Sequence, residues 1–324
     1  MGCFISHPAP APAPAQDPQQ ETPGTFSSDP DISRSWVYFK IIERGADEIF
    51  YAYNLHVQKS LRFPSLPEWL LNSATAVLNG KVYVIGGTDA GGNDSKNVYM
   101  CDPMAAFTWS QLPCTITGRE SAVAVAANGM IYVFGGCLYR SVVWAEVYDP
   151  SSSTPQWTAL PYPPLEFSCT LSRRPLQLVV CRHRIFVRND CSGIAFNVAF
   201  SIWESRLPRV ISNYWFKWPS PAAEVSGMFV AYHQGGDDTA ALHAYDRGRG
   251  LWLPLELNPV DPAEMGHLLS VNGSLVEYHV GELPCQITFR VMQMKINPTD
   301  DRMAVHVTKT LTYLPESAEW DFTG

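Results

Sequence analysis

The chain of 324 residues carries 31 acidic and 23 basic side chains, a formal net charge of −8, and no run rich in Lys or Arg. This balance does not suit phosphate neutralisation, so we expect no nucleic-acid partner. Hydrophobic residues make up 46% of the chain and charged residues 17%, which excludes a chain disordered throughout. The 26 Pro and 22 Gly residues favour an all-β architecture of short strands joined by many turns.

Residues 1–34 are predicted to form a disordered leader, because PAPAPAPA at 8–15 and the polar stretch after it offer almost nothing to bury. The first six residues, MGCFIS, satisfy the acceptor pattern M-G-x-x-x-[ST] for a myristate on Gly2. Cys3 is placed to carry a palmitate, the second chain that stable anchoring needs. The pattern indicates membrane association through N-terminal acylation. Because the pattern is short, an inert tail is the alternative.

From residue 35 onward, short apolar or alternating runs separated by Gly, Pro, Asn and Asp predict strands and turns. The stretch NGKVYVIGG at 79–87 returns as NGMIYVFGG at 128–136, and the text around it repeats as well. Each copy has an apolar strand, an Asn-Gly turn, a strand ending in Gly-Gly, a strand ending in Asp-Pro and a Trp strand ending in Leu-Pro. Asn-Gly suits a type I′ hairpin, and paired glycines let backbones approach closely. Each copy is therefore predicted to be a four-stranded unit of about 50 residues.

This unit resembles the kelch repeat, one blade of a β-propeller. The resemblance rests on the glycine pairs, on a Tyr shortly before an Asp, and on a Trp in the last strand. The residues concerned are Gly86, Gly87, Tyr99, Asp102 and Trp109 in the first copy, and Gly135, Gly136, Tyr148, Asp149 and Trp157 in the second. The resemblance, which is to plant kelch-repeat proteins, implies an all-β, six-bladed propeller over residues 35–324.

Prolines that end strands recur at steps of about 50 residues and divide the chain into blades. The predicted blades are 35–67, 68–113, 117–161, 165–219, 222–259 and 264–315, followed by a closing strand within 316–324. The first blade offers only three strand candidates. Because the two chain ends of a propeller usually share one sheet, we expect residues 318–322 to supply its fourth strand.

The stretch SLPEWLLNSA at 65–74 allows two interpretations. It resembles the start of an F-box, the helical module that many plant kelch proteins carry upstream of the propeller. Here, however, the strand pattern TAVLNGKVYVIGG follows directly. We therefore interpret the stretch as the end of a blade and not as an F-box, which weakens a direct role as a ubiquitin-ligase adaptor.

The cysteines and histidines are not spaced like the ligands of a metal site. The eight cysteines include no CxxC pair, and the eight histidines form no HExxH or His-x-His pattern. We therefore predict no bound metal and no cofactor. With no secretory signal pattern and no apolar run approaching the roughly 18 residues of a membrane span, we expect reduced thiols in a cytoplasmic or nuclear protein.

The resemblance implies that a protein partner binds on the rim formed by loops just before the first strand of each blade. The matching residues are Ser73, Arg119, Ser121, Ser168, Arg173, Arg174 and His267. Arg173 and Arg174 suit an acidic peptide, through charge-assisted hydrogen bonds; for any single residue the alternative is ordinary exposed charge. The implied function is a non-catalytic protein–protein interaction module, either a scaffold or a substrate receptor linked to ubiquitin-ligase pathways.

A second class of function remains open at this stage, a kelch enzyme that processes a small molecule at its channel mouth. Some plant kelch proteins act on glucosinolate breakdown products with iron held by a Glu-x-x-x-Asp arrangement, and Glu43 and Asp47 have that spacing. Two carboxylates in a turn between strands are more often solvated charge. We therefore expect no catalytic residues.

Overall fold

The structure is a computed structural model of the chain. The residues that it describes are 3–6, 35–42, 48–137, 143–164, 176–189, 193–204, 222–234, 240–246, 251–255, 257, 266–280, 286–296 and 303–313. These ranges contain strands, turns and bends and no helix, and hence none of the length and apolarity that a membrane span requires.

The chain forms two compact units, residues 1–212 and 213–324. The strands described in the first unit are β1 (Cys3–Ser6), β2 (Trp36–Ile42), β3 (Glu48–Asn54), β4 (Lys59–Arg62), β5 (Leu70–Leu71), β6 (Ala74–Leu78), β7 (Lys81–Ile85), β8 (Thr88–Asp89), β9 (Val98–Cys101), β10 (Trp109–Leu112), β11 (Val123–Ala127), β12 (Met130–Phe134), β13 (Ala145–Tyr148), β14 (Trp157–Ala159), β15 (Gln177–Cys181), β16 (Arg184–Arg188), β17 (Gly193–Asn197) and β18 (Ile202–Glu204). Those of the second unit are β19 (Ala223–Val225), β20 (Met228–Gln234), β21 (Ala240–Asp246), β22 (Leu251–Pro254), β23 (His267–Val271), β24 (Ser274–Val280), β25 (Ile287–Ile296) and β26 (Met303–Tyr313).

Six antiparallel sheets of four strands account for nearly all of these strands. The first unit contains β1-β2-β3-β4, β6-β7-β9-β10, β11-β12-β13-β14 and β15-β16-β17-β18, with a small extra sheet of β5 and β8. The second unit contains β19-β20-β21-β22 and β23-β24-β25-β26. The predicted fold class, an all-β protein with six propeller blades, is confirmed.

The repeated Asn-Gly pairs form the tight hairpins that the sequence predicts. Asn79 and Gly80 have φ angles of 52° and 75°, and Asn128 and Gly129 have 52° and 75°. Both central residues of a type I′ turn require positive φ, which Asn and Gly tolerate best. These turns join the first two strands of the second and third sheets.

The paired glycines lie where two backbones meet. A Cβ atom on Gly86 would lie 2.6 Å from the carbonyl oxygen of Arg119, and one on Gly136 would lie 2.7 Å from the backbone nitrogen of Ala122. Both glycines also have positive φ, 64° and 71°. A side chain on Gly86 would therefore push away the start of the next blade at Arg119, and one on Gly136 would push away the start of its own blade at Ala122.

The structure corrects the alignment of the two repeat copies at one position. In the second sheet Cys101 pairs with Val82 and Trp109, whereas in the third sheet Tyr148 pairs with Ile131 and Trp157. The residue equivalent to Tyr148 is therefore Cys101 and not Tyr99. Two residues separate Tyr99 from its Asp-Pro, whereas none separates Tyr148 from its own. A shift of two positions keeps the same face of the strand.

The first sheet contains a fourth strand that the sequence does not predict. Strand β1 pairs with β2, from Cys3 opposite Ile41 to Ser6 opposite Tyr38. This is the place that we expected residues 318–322 to fill, and those residues lie outside the described part of the chain. Of the predicted leader, the structure describes only β1; the remainder of residues 1–34 also lies outside the described part.

The hydrophobic cores of the first unit lie between consecutive sheets. Apolar side chains of the first and second sheets form one core, those of the second and third sheets another, and those of the third and fourth sheets a third. At the outer edge, Trp109, Trp157 and Trp203 donate indole hydrogen bonds to the carbonyl oxygens of Pro64, Pro113 and Pro161, at 2.7, 3.0 and 2.7 Å. Each Trp thus ties its own sheet to the segment that ends the preceding one.

Candidate functional site

The loops expected to carry the partner-binding site form one hydrogen-bonded network in the first unit. We call the segments 70–73, 86–97, 118–121 and 135–137 the rim. The backbone nitrogen of Gly87 donates to the Arg119 carbonyl at 2.7 Å, and that of Ser121 donates to the Asn72 carbonyl at 2.9 Å. The nitrogen of Glu120 donates to the Gly136 carbonyl at 2.7 Å. The rim is therefore braced by its own backbone across two blades.

Arg119, which we expected to contact a partner, is instead buried inside the rim with 0% of its surface exposed. Its Nε and Nη2 atoms donate to one oxygen of Glu146, at 3.1 and 2.7 Å. Its Nη1 atom donates to the carbonyl oxygens of Gly135 and Trp144, at 2.5 and 3.0 Å. With its donors taken by these acceptors, Arg119 fixes the shape of the rim and does not present a charge to a partner.

The carboxylate of Glu146 completes this buried pair. Glu146 is also 0% exposed and accepts hydrogen bonds from the backbone nitrogens of Ile116 and Thr117, at 2.7 and 3.3 Å. A buried ion pair is stable only when the remaining lone pairs and donors are also satisfied, as they are here. The pair therefore ties the loop before β11 to strand β13.

Ser73, the second residue expected at the rim surface, is also buried. Lys40 on β2 binds the Oε1 atom of Glu48 at 2.6 Å and the carbonyl oxygen of Ser73 at 2.5 Å. The hydroxyl and backbone nitrogen of Ser73 donate to the same Glu48 carboxylate. This second buried pair joins the first sheet to the start of β6 in the second, so Ser73 is part of the framework.

Ser121, the loop from Ala90 to Asn93 and Lys96 are parts of the rim that face solvent. Ser121 is exposed, with a positive φ of 54°, at the position that Asn72 occupies in the preceding blade with φ 56°. The loop from Ala90 to Asn93 is exposed as well, although it is held at its base. The pairing of β5 with β8 and the hydrogen bonds from Gly91 and Asn93 nitrogens to Asp89, at 2.9 and 2.8 Å, hold this loop in shape.

These hydrogen bonds also set the charge of the loop. The backbone hydrogen bond from Asn93, followed by those from the Asn93 side chain and Gly91, lowers the pKa of Asp89. The carboxyl is thus ionised near neutral pH. The exposed part of the rim therefore combines the negative charge of Asp89 with small residues and the exposed Lys96, whereas the sequence predicted arginines there.

In the second unit, Glu277 is the centre of a polar cluster between two sheets. Its side chain is 3% exposed and accepts hydrogen bonds from the Tyr232 hydroxyl, from the Gly266 backbone nitrogen at 3.3 Å and from Arg290 at 3.2 Å. His279 lies 3.3 Å from the same carboxylate. Glu277 thus links strands β20, β24 and β25.

Burial and hydrogen bonding act in opposite directions on this carboxyl group. Burial alone would raise the pKa of Glu277, but the hydrogen bonds from His279 and Tyr232 and the charge of Arg290 lower it overall. Burial, together with the negative charge of Glu277, raises the pKa of Tyr232. The pair is therefore held as a carboxylate and a neutral phenol across the whole neutral range.

His267, the expected rim residue of the second unit, lies next to this cluster. It is exposed at the first position of β23, and its ring stacks on that of Tyr278 with 4.9 Å between the centroids. Its neighbour Gly266 contacts Glu277 closely, since a Cβ atom there would lie 2.5 Å from Glu277 Cγ. His267 is thus accessible on a fixed backbone, as a binding residue must be.

The remaining expected residues are not placed by the structure. Gly2, Ser168, Arg173, Arg174, Glu43 and Asp47 lie outside the described residues. Cys3 is described only as the first residue of β1. In the described part of the chain, no group of three or more His, Cys, Asp or Glu side chains is arranged to hold a metal ion.

The sequence interpretation missed Glu48, Glu146 and Glu277, the carboxylates that organise these clusters. The available signal was a charge in a strand that is otherwise apolar. Glu277 interrupts SLVEYHV at the position that Val84 occupies in the first repeat copy, counted from the Asn-Gly turn. A buried charge requires a partner, and the partner lies on another strand or loop, so the sequence alone does not identify it.

Comparison with known proteins identifies the repeats. The Kelch motif matches residues 70–115 and 118–164, the second and third predicted blades. A putative F-box/kelch-repeat protein of Arabidopsis thaliana is 29% identical over 196 residues, which cover 59% of this chain and 47% of that protein. A second such Arabidopsis protein is 35% identical over 109 residues, covering 32% of this chain and 28% of the relative. The chain thus spans less than half the length of either relative.

Among solved structures, that of YjhT shares the fold, with a TM-score of 0.55 at 13% sequence identity. The superposition covers 84% of this chain and 95% of the other. The kelch motifs, the four-stranded sheets and the plant relatives agree with one another. The chain therefore contains two Kelch motifs within a fold of four-stranded antiparallel sheets, and it resembles plant kelch-repeat proteins.

Proposed function

We propose that the protein is a non-catalytic protein-interaction module that acts in the cytoplasm as a substrate receptor or scaffold linked to ubiquitin-ligase pathways. The names of its Arabidopsis relatives support this assignment, because they combine the kelch repeat with an F-box. The binding surface is the rim of the first unit, including the loop at 89–93 and Ser121, together with Arg173 and Arg174.

The observation that carries this proposal is the use of buried ion pairs to brace exposed loops. Arg119 with Glu146 and Lys40 with Glu48 are fully enclosed pairs whose hydrogen bonds all serve the framework. A loop that is already fixed loses little conformational entropy when a partner binds, which favours affinity. Ionisable groups used in this way are not available as general acids or bases, which favours binding over catalysis.

Affinity capture from plant cell extract, followed by mass spectrometry, tests the rim. One variant replaces Ala90, Gly91 and Gly92 with lysines, which adds bulk and opposite charge to the exposed loop. A second replaces Arg173 and Arg174 with alanine. The matched control is Lys59→Ala, an exposed residue beside the β3–β4 turn at the opposite end of a blade.

We expect both rim variants to lose the proteins that wild type and the Lys59→Ala control capture, while all variants keep the circular dichroism spectrum of the wild type. Arg119 is not used in this test because removing it would perturb the fold. Unchanged capture by both rim variants would overturn the assignment of the rim. An enzyme would be indicated instead by turnover of a small molecule that survives the loss of captured proteins.

We also propose that Gly2 carries a myristate and Cys3 a palmitate, which together attach the protein to the cytosolic face of a membrane. The support is the match of MGCFIS to the acceptor pattern, with a thiol beside the first acylated residue. Metabolic labelling with an alkynyl myristate is the test, and Gly2→Ala is the control. Absence of label from the wild-type N-terminal peptide would overturn this proposal.

A further inference from the structure

The turn that joins β13 to β14 carries four hydroxyl side chains in a row. Residues 151–154 read SSST, all four are exposed, and Pro155 follows them. The corresponding turns of the first, second and fourth sheets read LHVQ at 55–58, PMAAFT at 103–108 and VAFS at 198–201. None of those three turns has a Ser or Thr followed by Pro. The fold of a blade therefore does not require this composition.

Hydrogen bonds divide the four hydroxyl groups into two pairs. The backbone nitrogen and the hydroxyl of Ser151 donate to Asp149 Oδ1, at 2.9 and 2.6 Å. The Ser152 hydroxyl oxygen accepts a hydrogen bond from the Thr154 backbone nitrogen at 3.3 Å. The hydroxyls of Ser153 and Thr154 form no hydrogen bond with the described part of the chain. An enzyme can therefore use these two hydroxyls without first breaking the turn.

Pro155 distinguishes Thr154 from Ser153. Its ring disfavours the helical conformation at Thr154, and it has no backbone N–H to contribute to a ladder. Residues 155–156 lie outside the strands, and the pairing with β13 begins at Trp157, opposite Tyr148. A hydroxyl directly before Pro is the acceptor that proline-directed protein kinases select. Thr154 thus combines an exposed, unbonded hydroxyl with this recognition feature.

The turn lies at the end of its blade that faces away from the rim. Strand β13 begins beside the rim, where the Gly135 nitrogen donates to the Trp144 carbonyl at 3.0 Å. It ends at Tyr148, which pairs with Ile131 next to the hairpin at 128–129. A group added to Thr154 is therefore a blade's length from the rim, and the rim does not have to change to accept it.

We propose that Thr154 is a phosphorylation site for a proline-directed protein kinase. In the reaction, Thr154 Oγ1 attacks the γ-phosphorus of ATP, and a new oxygen–phosphorus bond forms. The bond from the γ-phosphorus to the bridging oxygen breaks, ADP leaves, and a carboxylate of the kinase takes the hydroxyl proton. The proposal is independent of the partner-binding role of the rim.

The product is an acidic group in an already acidic turn. A phosphothreonine carries a charge of about −1.5 to −2 near neutral pH. The hydrogen bond from the Ser151 side chain, followed by that from the Ser151 backbone, lowers the pKa of Asp149, so this carboxyl is ionised as well. Both groups are exposed, and salt screens their repulsion. We therefore expect the modified chain to stay folded.

Incubation of the purified full chain with ATP and a mitogen-activated protein kinase tests the proposal, with the phosphate located by tandem mass spectrometry. The chain has two other Ser/Thr-Pro pairs, at 22–23 and 220–221, which Thr22→Val and Ser220→Ala remove from the background. Pro155→Ala is compared in this background. Thr108, exposed in the corresponding turn of the second sheet without a following Pro, is the internal control. A peptide of residues 149–160 reports recognition of the motif without the fold.

We expect one phosphate, on Thr154, and an unchanged circular dichroism spectrum. Pro155→Ala should slow its transfer at least about tenfold, and Thr108 should remain unmodified. Phosphorylation of the peptide but not of Thr154 in the folded chain would show that the turn is inaccessible and would overturn the proposal. Failure of both peptide and chain to react would overturn it too, as would a rate that Pro155→Ala leaves unchanged.

Discussion

At the residue scale, Arg119, which was expected on the surface of the rim, is buried inside the protein, and so is Lys40. Arg119 and Lys40 each form a buried pair with a glutamate and each also bind backbone carbonyls of the rim or its neighbours. The energetic value of such a pair lies less in its net attraction than in the cost of breaking it.

Replacing Arg119 with alanine should therefore destabilise the protein strongly. The Glu146 carboxylate would remain buried without its cation, and we expect the free energy of unfolding to fall by about 3–5 kcal/mol. Urea denaturation followed by tryptophan fluorescence measures this change. Lys96→Ala, an exposed lysine in the same rim, is the control and should change stability by less than about 0.5 kcal/mol. A similarly small effect of Arg119→Ala would contradict the buried pair.

Glu277 predicts a dependence of stability on pH. Its pKa is lowered in the folded protein from the ordinary value of 4.5, so ionisation favours the folded state. This contribution is fully present above the unfolded pKa and is lost as the pH falls through the lower, folded pKa. In Glu277→Gln we expect a shallower loss of stability between about pH 5 and pH 2 than in wild type. Thermal melts at a series of pH values compare the two, and parallel curves would contradict the prediction.

At the element scale, each blade is positioned by a few contacts that recur from sheet to sheet. The glycine at the end of the second strand admits the start of the next blade, and the Trp of the last strand binds the preceding proline carbonyl. Both contacts involve backbone atoms, so they persist where side chains diverge between blades.

Two glycine variants distinguish the stability cost of a steric clash from the cost of placing a side chain on a residue with positive φ. Gly86→Ala places a Cβ atom 2.6 Å from the Arg119 carbonyl, whereas Gly80→Ala meets nothing within 4 Å, and both residues have positive φ. We expect Gly80→Ala to cost about 1 kcal/mol for its backbone conformation alone. Gly86→Ala should cost at least about 2 kcal/mol more, because the rim has to shift. Equal losses in chemical denaturation would show that the two backbones do not meet closely.

The indole hydrogen bond of Trp157 to Pro113 can be tested in the same way. Trp157→Phe keeps an aromatic ring in the core between sheets but removes the donor, and we expect a loss of about 1–2 kcal/mol. Trp157→Ala also leaves a cavity and should cost about 3–5 kcal/mol. If the two variants are equally unstable, the hydrogen bond and not the packing carries the contribution of this residue.

At the scale of the whole molecule, the first blade is completed by β1, from the N-terminal segment of the chain. The structure pairs β1 with β2, whereas the sequence predicted residues 316–324, which lie outside the described part. Deleting residues 2–6 removes the ladder to β2 and should lower the free energy of unfolding by about 1–3 kcal/mol. Calorimetry of this variant, beside one lacking residues 316–324, distinguishes the two. A loss confined to the second deletion would favour closure by the C-terminal segment.

The short turn, glycine and proline motifs of the sequence were sufficient to predict the blades. Three short signals were used: Asn-Gly at 79–80 and 128–129, the glycine pairs, and the prolines that end strands. Each affects the backbone over only a few residues, so its structural effect can be predicted from the residues next to it in sequence. They established six short-stranded units, and the kelch resemblance followed from two of them. Six four-stranded sheets confirm that fold class.

The structure of the rim depends on contacts between residues that are distant in sequence, and short sequence signals do not predict these contacts. Arg119 and Glu146 are separated by 26 intervening residues, and Lys40 and Ser73 by 32, so whether these charges and hydroxyls face solvent or each other is decided when the sheets pack. A charged side chain is buried only where an oppositely charged or hydrogen-bonding partner is available, because burying an unpaired charge costs several kcal/mol of folding free energy. The sequence by itself determined the blade and its turns. The tertiary structure decided which polar residues are buried and which are exposed on the rim. It also decided that Cys3–Ser6 pairs with β2. Each of these outcomes depends on contacts between segments that are distant in sequence.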